Sequence, residues 1–221
     1  MKKLFCFCLV FFTMLCLPLT THADKTKWVN PAYNFKAVKT FELTSIAVAD
    51  IDQESFTQDE LAYERVLGDL QNEFSKYQLH LESNNVENEE LLPGYQKPIP
   101  TDTYPATTAV MQVKIHRFGY ITRIIPAHQE PYTYTRKEKI RDNHGNWIVR
   151  EIPVTEYRYV PAYREDSAQL DISFNIYDSQ TGKLVMNLRD SRERSGDSDT
   201  SGVSHRIVQN FIKELSKKVY K

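Results

Sequence analysis

Ala168-Gln169-Leu170-Asp171-Ile172-Ser173-Phe174-Asn175-Ile176 decides the fold class. Every second residue is apolar and the residues between are polar, the period of a strand that turns one face to a core. Outward from it, Asp178-Ser179-Gln180-Thr181-Gly182 reads as a tight turn, with Gly182 free to take a positive φ. Lys183 to Leu188 then returns as the partner strand. A polar loop is expected from Asp190 to Thr200. Beyond it Val203, Ile207, Phe211 and Leu215 recur every four residues, the apolar stripe of a helix. Lys217, Lys218 and Lys221 at its end suit the negative pole of that helix.

The first half supplies the other side of the layer. Residues Trp28 to Lys36 read as extended, and Lys39 to Ala49 as a strand closed by Asp50 and Asp52. Thr57-Gln58-Asp59-Glu60 has the spacing of a capping box. Tyr63, Leu67, Leu70, Phe74 and Tyr77 follow as an apolar helix stripe, and Gln78 to Glu82 as a short strand. From Asn84 to Thr107 four prolines deny helix and central strand, so a long loop is expected. Ala109, Met111, Val113 and Ile115 then mark a half-buried strand. The fold class expected is α+β: an antiparallel or mixed β-sheet with two helices packed on one face.

Between about 118 and 166 the composition changes. Tyr132-Thr133-Tyr134-Thr135, a turn at Asp142-Asn143-His144-Gly145, then Trp147-Ile148-Val149 and Tyr157-Arg158-Tyr159 predict a long, protruding, Tyr-rich β-hairpin. Aromatic and Arg side chains bury large area at low entropic cost. Tyr132, Tyr134, Trp147, Tyr157, Arg158 and Tyr159 are therefore the candidate partner-binding residues. The same residues also fit plain cross-strand pairing in an exposed ribbon.

The start of the chain carries an address. Lys2 and Lys3 precede an apolar run from Leu4 to Leu19, and Thr21-His22-Ala23 leads into polar residues. That is the layout of a signal peptide cleaved after Ala23, which predicts a periplasmic or secreted protein. Membrane association is expected only if the segment stays uncleaved. Cys6, Cys8 and Cys16 all lie within it, so the exported part has no disulfide. The 221 residues less these 23 leave 198, enough for a single domain over 24–221 with a real core. Removing Lys2 and Lys3 leaves 26 basic residues against 29 acids, a net charge of −3. Nucleic-acid binding, which wants a positive excess, is not expected.

The search for chemistry returns little. With seven glycines there is no phosphate-binding loop, and no Gly-x-Ser-x-Gly elbow occurs. His80, His116, His128, His144 and His205 have no metal-ligand spacing, so neither metal nor other cofactor is expected. Asp50 and Asp52 could serve an unrecognised hydrolase, though a solvated strand end suits them better.

Asn34-Phe35-Lys36-Ala37-Val38-Lys39-Thr40-Phe41 and Tyr177-Asp178 to Thr181-Gly182-Lys183-Leu184-Val185, set in this order of elements, resemble a broad set of exported bacterial domains. Their layout is similar to the N-terminal domain of TolB and the periplasmic domains of CsgG and LpoB. The resemblance spans most of residues 28 to 220 outside the ribbon. It implies partner binding in the cell envelope without catalysis, and it transfers no site residue. The expected function is thus a non-enzymatic envelope protein that binds a protein partner or itself. The alternative is a glycan or peptidoglycan binder whose rings stack on sugars.

Overall fold

The computed structural model describes residues 23–94, 97–101 and 103–220. The expected signal segment up to His22 lies outside the described residues; Ala23 opens the first strand. The described residues fall into two units, one running from 23 to 122 and resuming from 166 to 220, the other residues 123–165.

In the first unit the strands are β1 (Ala23–Val29), β2 (Thr40–Val48), β3 (Phe56–Gln58), β4 (His80–Glu82), β5 (Glu87–Glu90), β6 (Thr108–Ile125), β9 (Tyr163–Asp178) and β10 (Leu184–Ser195). β6 and β9 run a few residues beyond the unit's limits. The helices are α1 (Ala62–Lys76) and α2 (Thr200–Tyr220). The strand order is β1-β10-β9-β6-β2-β4, with β3 added on β6 and β5 on β2. β2 runs parallel to β4, β5 and β6, while β1–β10 and β10–β9 are antiparallel. The sheet is mixed, and the class is α+β.

The deciding stretch behaves as its alternation requires. Leu170, Ile172, Phe174 and Ile176 are fully buried and join Phe41, Leu43, Met111 and Val113 in one core. Both helices close it. Phe74 of α1 meets Phe41 edge-on at 5.6 Å, and Phe211 of α2 stacks on Phe174 at 4.2 Å. Gly182 takes φ +65° in the turn between β9 and β10, where a side chain would strain the backbone.

Four expectations are corrected. Thr57 is not a helix cap: it lies in β3, extended against Tyr120 of β6, so its hydroxyl sits a strand away from the helix. α1 begins at Ala62 instead, and the Asp59 carboxylate accepts the Leu61 amide at 3.0 Å. The buried face of α1 centres on Val66, Leu70 and Phe74, with Tyr63 and Leu67 at its margin. The stretch from Asn84 to Thr107 is not all loop, because Glu87–Glu90 pairs along β2 as β5. Lys97 bridges Glu87 and Glu89 there and offsets the repulsion that makes such a strand unlike a strand in sequence. Finally, β10 continues to Ser195 through the expected polar loop, because Asp190, although buried, is held by a bidentate Arg192 at 2.8 Å.

The alternating polar residues of β9 are not all solvated either. Gln169, Ser173 and Asn175 are buried, and each has a neighbour: Arg117 at 2.7 Å, His116 at 2.9 Å and Asn187 at 2.6 Å. Burying a polar group costs little once its hydrogen bonds are replaced.

Candidate functional site

The second unit contains the Tyr-rich segment. β7 (His128–Arg141) and β8 (Trp147–Val160) form a two-stranded antiparallel sheet in unbroken register from His128↔Val160 to Arg141↔Trp147. Asp142 makes the turn. Its carboxylate accepts the amides of His144 at 2.9 Å and Asn146 at 2.8 Å, and those amides hold its pKa below the usual range. Gly145 supplies the φ of +81° that closes the turn. At about 3.3 Å per residue, fourteen residues give each strand a length of about 45 Å.

The register sorts the side chains, because residues directly opposite share a face. One face carries Glu130↔Arg158, Tyr132↔Glu156 and Tyr134↔Val154; the other carries Gln129↔Tyr159, Pro131↔Tyr157, Thr133↔Thr155 and Arg141↔Trp147. The six candidate residues are therefore not brought together: Tyr132, Tyr134 and Arg158 lie on the first face, Trp147, Tyr157 and Tyr159 on the second. Alternation within each strand holds this information, but the pairing of the two strands is needed to read it.

The two faces differ in what their rings have left to give. On the first, Tyr132 and Tyr134 stack at 6.0 Å, and both hydroxyls donate to Glu156, at 2.6 and 2.8 Å. Those bonds lower the Glu156 pKa and raise both phenols. Arg158 is paired with Glu130 at 2.9 Å, which holds that carboxyl down, and His128 adds a 3.2 Å contact to it. The Pro126 carbonyl, and Glu130 after it, raise the His128 pKa. From Glu130 to Tyr134 this face is internally satisfied. On the second, Tyr157 and Tyr159 are 68% and 70% exposed, against 40% and 38% for Tyr132 and Tyr134. Neither Tyr157 nor Tyr159 has a hydroxyl partner among the described residues.

Two prolines complete the second face. Pro131 and Pro153 both have the parity of Tyr157. A proline cannot donate to the ladder, so this parity is the non-hydrogen-bonded one, whose amides point out of the ribbon's two edges. Each edge thus lacks one outward donor.

The remaining candidates of the sequence lie apart. Asp50 and Asp52 are exposed in the turn after β2, which Gln58 holds by bonding the Ile51 amide and the Ala49 carbonyl. His116 and His128 have separate partners, Ser173 for one and Glu130 for the other. Burial lowers the His116 pKa and favours its neutral ring. Among the described residues no group of three or more His, Cys, Asp or Glu is placed to hold a metal ion.

Two features went unseen in the sequence. Glu42 and Glu82 face each other across β2 and β4, and burial followed by the hydrogen bond and charge of Glu82 raises Glu42 to about 7. Parallel pairing of the two strands, which spacing does not reveal, creates this pair. Glu73 is fully buried on α1, with Oε1 on Lys76 and 3.7 Å from His205 of α2. An acid inside an apolar stripe was the available signal. A concave surface of about 590 Å³ near Asp59, Arg65 and Thr200 is polar, but these three already bond one another: Thr200 Oγ1 to Asp59 at 2.6 Å and Arg65 to Thr200 at 2.9 Å.

No protein-family model matches the sequence, and no curated protein matches it. Among solved structures, a PelC dodecamer from Paraburkholderia phytofirmans, in two crystal forms, aligns with a TM-score of 0.44 and 11% identity. That alignment covers 88% of this chain and 98% of the other. A PDZ domain protein from Parabacteroides distasonis aligns with a TM-score of 0.35 and 14% identity, over 96% of this chain and 39% of its own. At such scores neither neighbour lends this chain a function.

Proposed function

We propose that this chain is an exported, non-enzymatic envelope protein that docks a protein partner, or a second copy of itself, on the Tyr157–Tyr159 face of its ribbon. The observation that carries the reading is the contrast between tyrosines of one ribbon: two tied to Glu156, two bare and without hydroxyl partners. A ring that already bonds its neighbour strand stabilises the ribbon, whereas a bare ring offers apolar area and an unused donor to something else. Docking in this reading is through the face, since the prolines interrupt the edges. Export is supported by the charged, apolar and small-residue order of residues 1–23, and the layout by the resemblance of residues 34–41 and 177–185 to the TolB, CsgG and LpoB domains.

Capture from envelope extract, in parallel with binding to purified cell wall, tests the reading. The double variant Tyr157→Ala/Tyr159→Ala is expected to lose tenfold or more in partner capture, the equivalent of about 1.4 kcal/mol. Tyr132→Ala/Tyr134→Ala is expected to keep it. Equal losses from both pairs would refute the assignment of the face, and retention on cell wall alone would replace the protein partner with a glycan.

A further inference from the structure

The turn end of the ribbon is built differently from the Tyr157–Tyr159 end. Ten residues of strand, about 33 Å, separate Trp147 from Tyr157. Trp147 and Val149 are 65% and 60% exposed, and Ile148 is exposed on the opposite face. Trp147, Ile148 and Val149 line an open recess of about 600 Å³ together with Lys139. The Arg141 guanidinium lies over the indole, 5.0 Å from its centroid. Three bulky apolar side chains in a row at the turn end of β8 serve no core of their own.

Charge surrounds them with one sign in excess. Residues 136–151 hold five Lys and Arg (136, 137, 139, 141 and 150) against three carboxylates (138, 142 and 151). The carboxylates are all engaged: Glu138 by Arg136, Glu151 by Lys137 at 3.6 Å, and Asp142 by the backbone amides of the turn. Lys139, Arg141 and Arg150 have no carboxylate partner among the described residues. An indole and branched aliphatics flanked by unpaired cations match one surface in particular, the headgroup zone of an anionic bilayer. The zone's apolar depth takes the ring and aliphatics, and its phosphates take the cations. A soluble polyanion would need the cations but leave Ile148 and Val149 in water.

We propose that the turn end of the ribbon is a membrane-docking tip that seats Trp147, Ile148 and Val149 among the headgroups of anionic lipids, with Lys139, Arg141 and Arg150 on their phosphates. The site is distinct from the Tyr157–Tyr159 face, so either can fail without the other.

The test uses the full chain carrying Trp28→Phe, which leaves Trp147 as its sole tryptophan and makes emission report on the tip itself. On addition of phosphatidylethanolamine vesicles containing phosphatidylglycerol, the emission should shift to the blue, and the shift should weaken as salt rises. Phosphatidylcholine vesicles should shift it far less. Lys139→Glu/Arg141→Glu should weaken binding tenfold or more, and Val149→Ser should weaken it with the charges intact. An unchanged emission with anionic vesicles overturns the proposal, including when the chain sediments with them through another segment. Equal shifts on both kinds of vesicle, or shifts indifferent to salt, overturn it as well; the salt series needs none of the ribbon variants to fold.

Discussion

β9 and β8 are strands of comparable length, sixteen and fourteen residues, and they stand for opposite reasons. β9 is buried on both sides along most of its length, whereas β8 is exposed from end to end except at scattered positions. Removing Phe174 from β9 would open a hole under a stacked Phe211. Removing Tyr157 from β8 would open nothing. A strand in the sheet draws on apolar burial, at roughly 25 cal/mol per Å². A strand in the ribbon has only cross-strand pairs, such as Thr133–Thr155 at 3.0 Å and Arg158–Glu130, and a turn held by one carboxylate. Exposed β-structure, in other words, keeps its side chains available, and buried β-structure spends them on the fold.

The largest effect that could break this contrast is in the core. Phe174→Ala and Phe211→Ala should each cost about 3–5 kcal/mol in denaturant unfolding, the range for an aromatic truncated in a packed interior. A cost below about 1 kcal/mol at both would mean that the sheet's strands do not depend on the burial seen here.

Of intermediate size are two acids of the first unit that titrate in opposite senses. Glu42, raised to about 7, holds a proton in the folded state over a range where the unfolded chain has released it; stability should therefore fall as pH rises from about 4.5 to 7. Glu214 of α2 is lowered to about 2 by hydrogen bonds from Lys217 and then Lys27 of β1, so its contribution is present above about 4.5 and is lost as pH falls towards 2. Melting temperatures across pH should show both trends. Glu42→Gln should flatten the neutral side and Glu214→Gln the acid side. Unchanged profiles in both variants would show that neither acid is coupled to folding.

The smallest effect sharpens the contrast from the ribbon's side. Tyr157→Ala/Tyr159→Ala should move the melting temperature by no more than a few degrees, since exposed substitutions cost under about 0.5 kcal/mol each. An early melt would make these rings cross-strand supports after all.

What could be read from the sequence divides along the same line. Ala168 to Ile176, the Gly182 turn and the Val203–Leu215 stripe were legible because burial writes a period into the chain. β5 was not, because Glu87–Glu90 has the composition of a loop and is held by pairing with β2 and by Lys97. The burial of the polar positions of β9 was not legible either, because alternation separates polar from apolar without saying what covers the polar side. The ribbon's aromatic content was plain, yet its division into a tied face and a bare one depends on which residue of β7 stands opposite which of β8.

Pro131 and Pro153 bear on how such a ribbon survives in company. Two exposed strands of fourteen residues, rich in Tyr, Thr and Val, present the rows of outward amides on which further strands can grow without limit. A missing donor partway along each row stops such growth from running the length of either side. In the docking proposed above, copies that meet ring against ring then form a contact of finite stoichiometry instead of the open-ended one of a fibre.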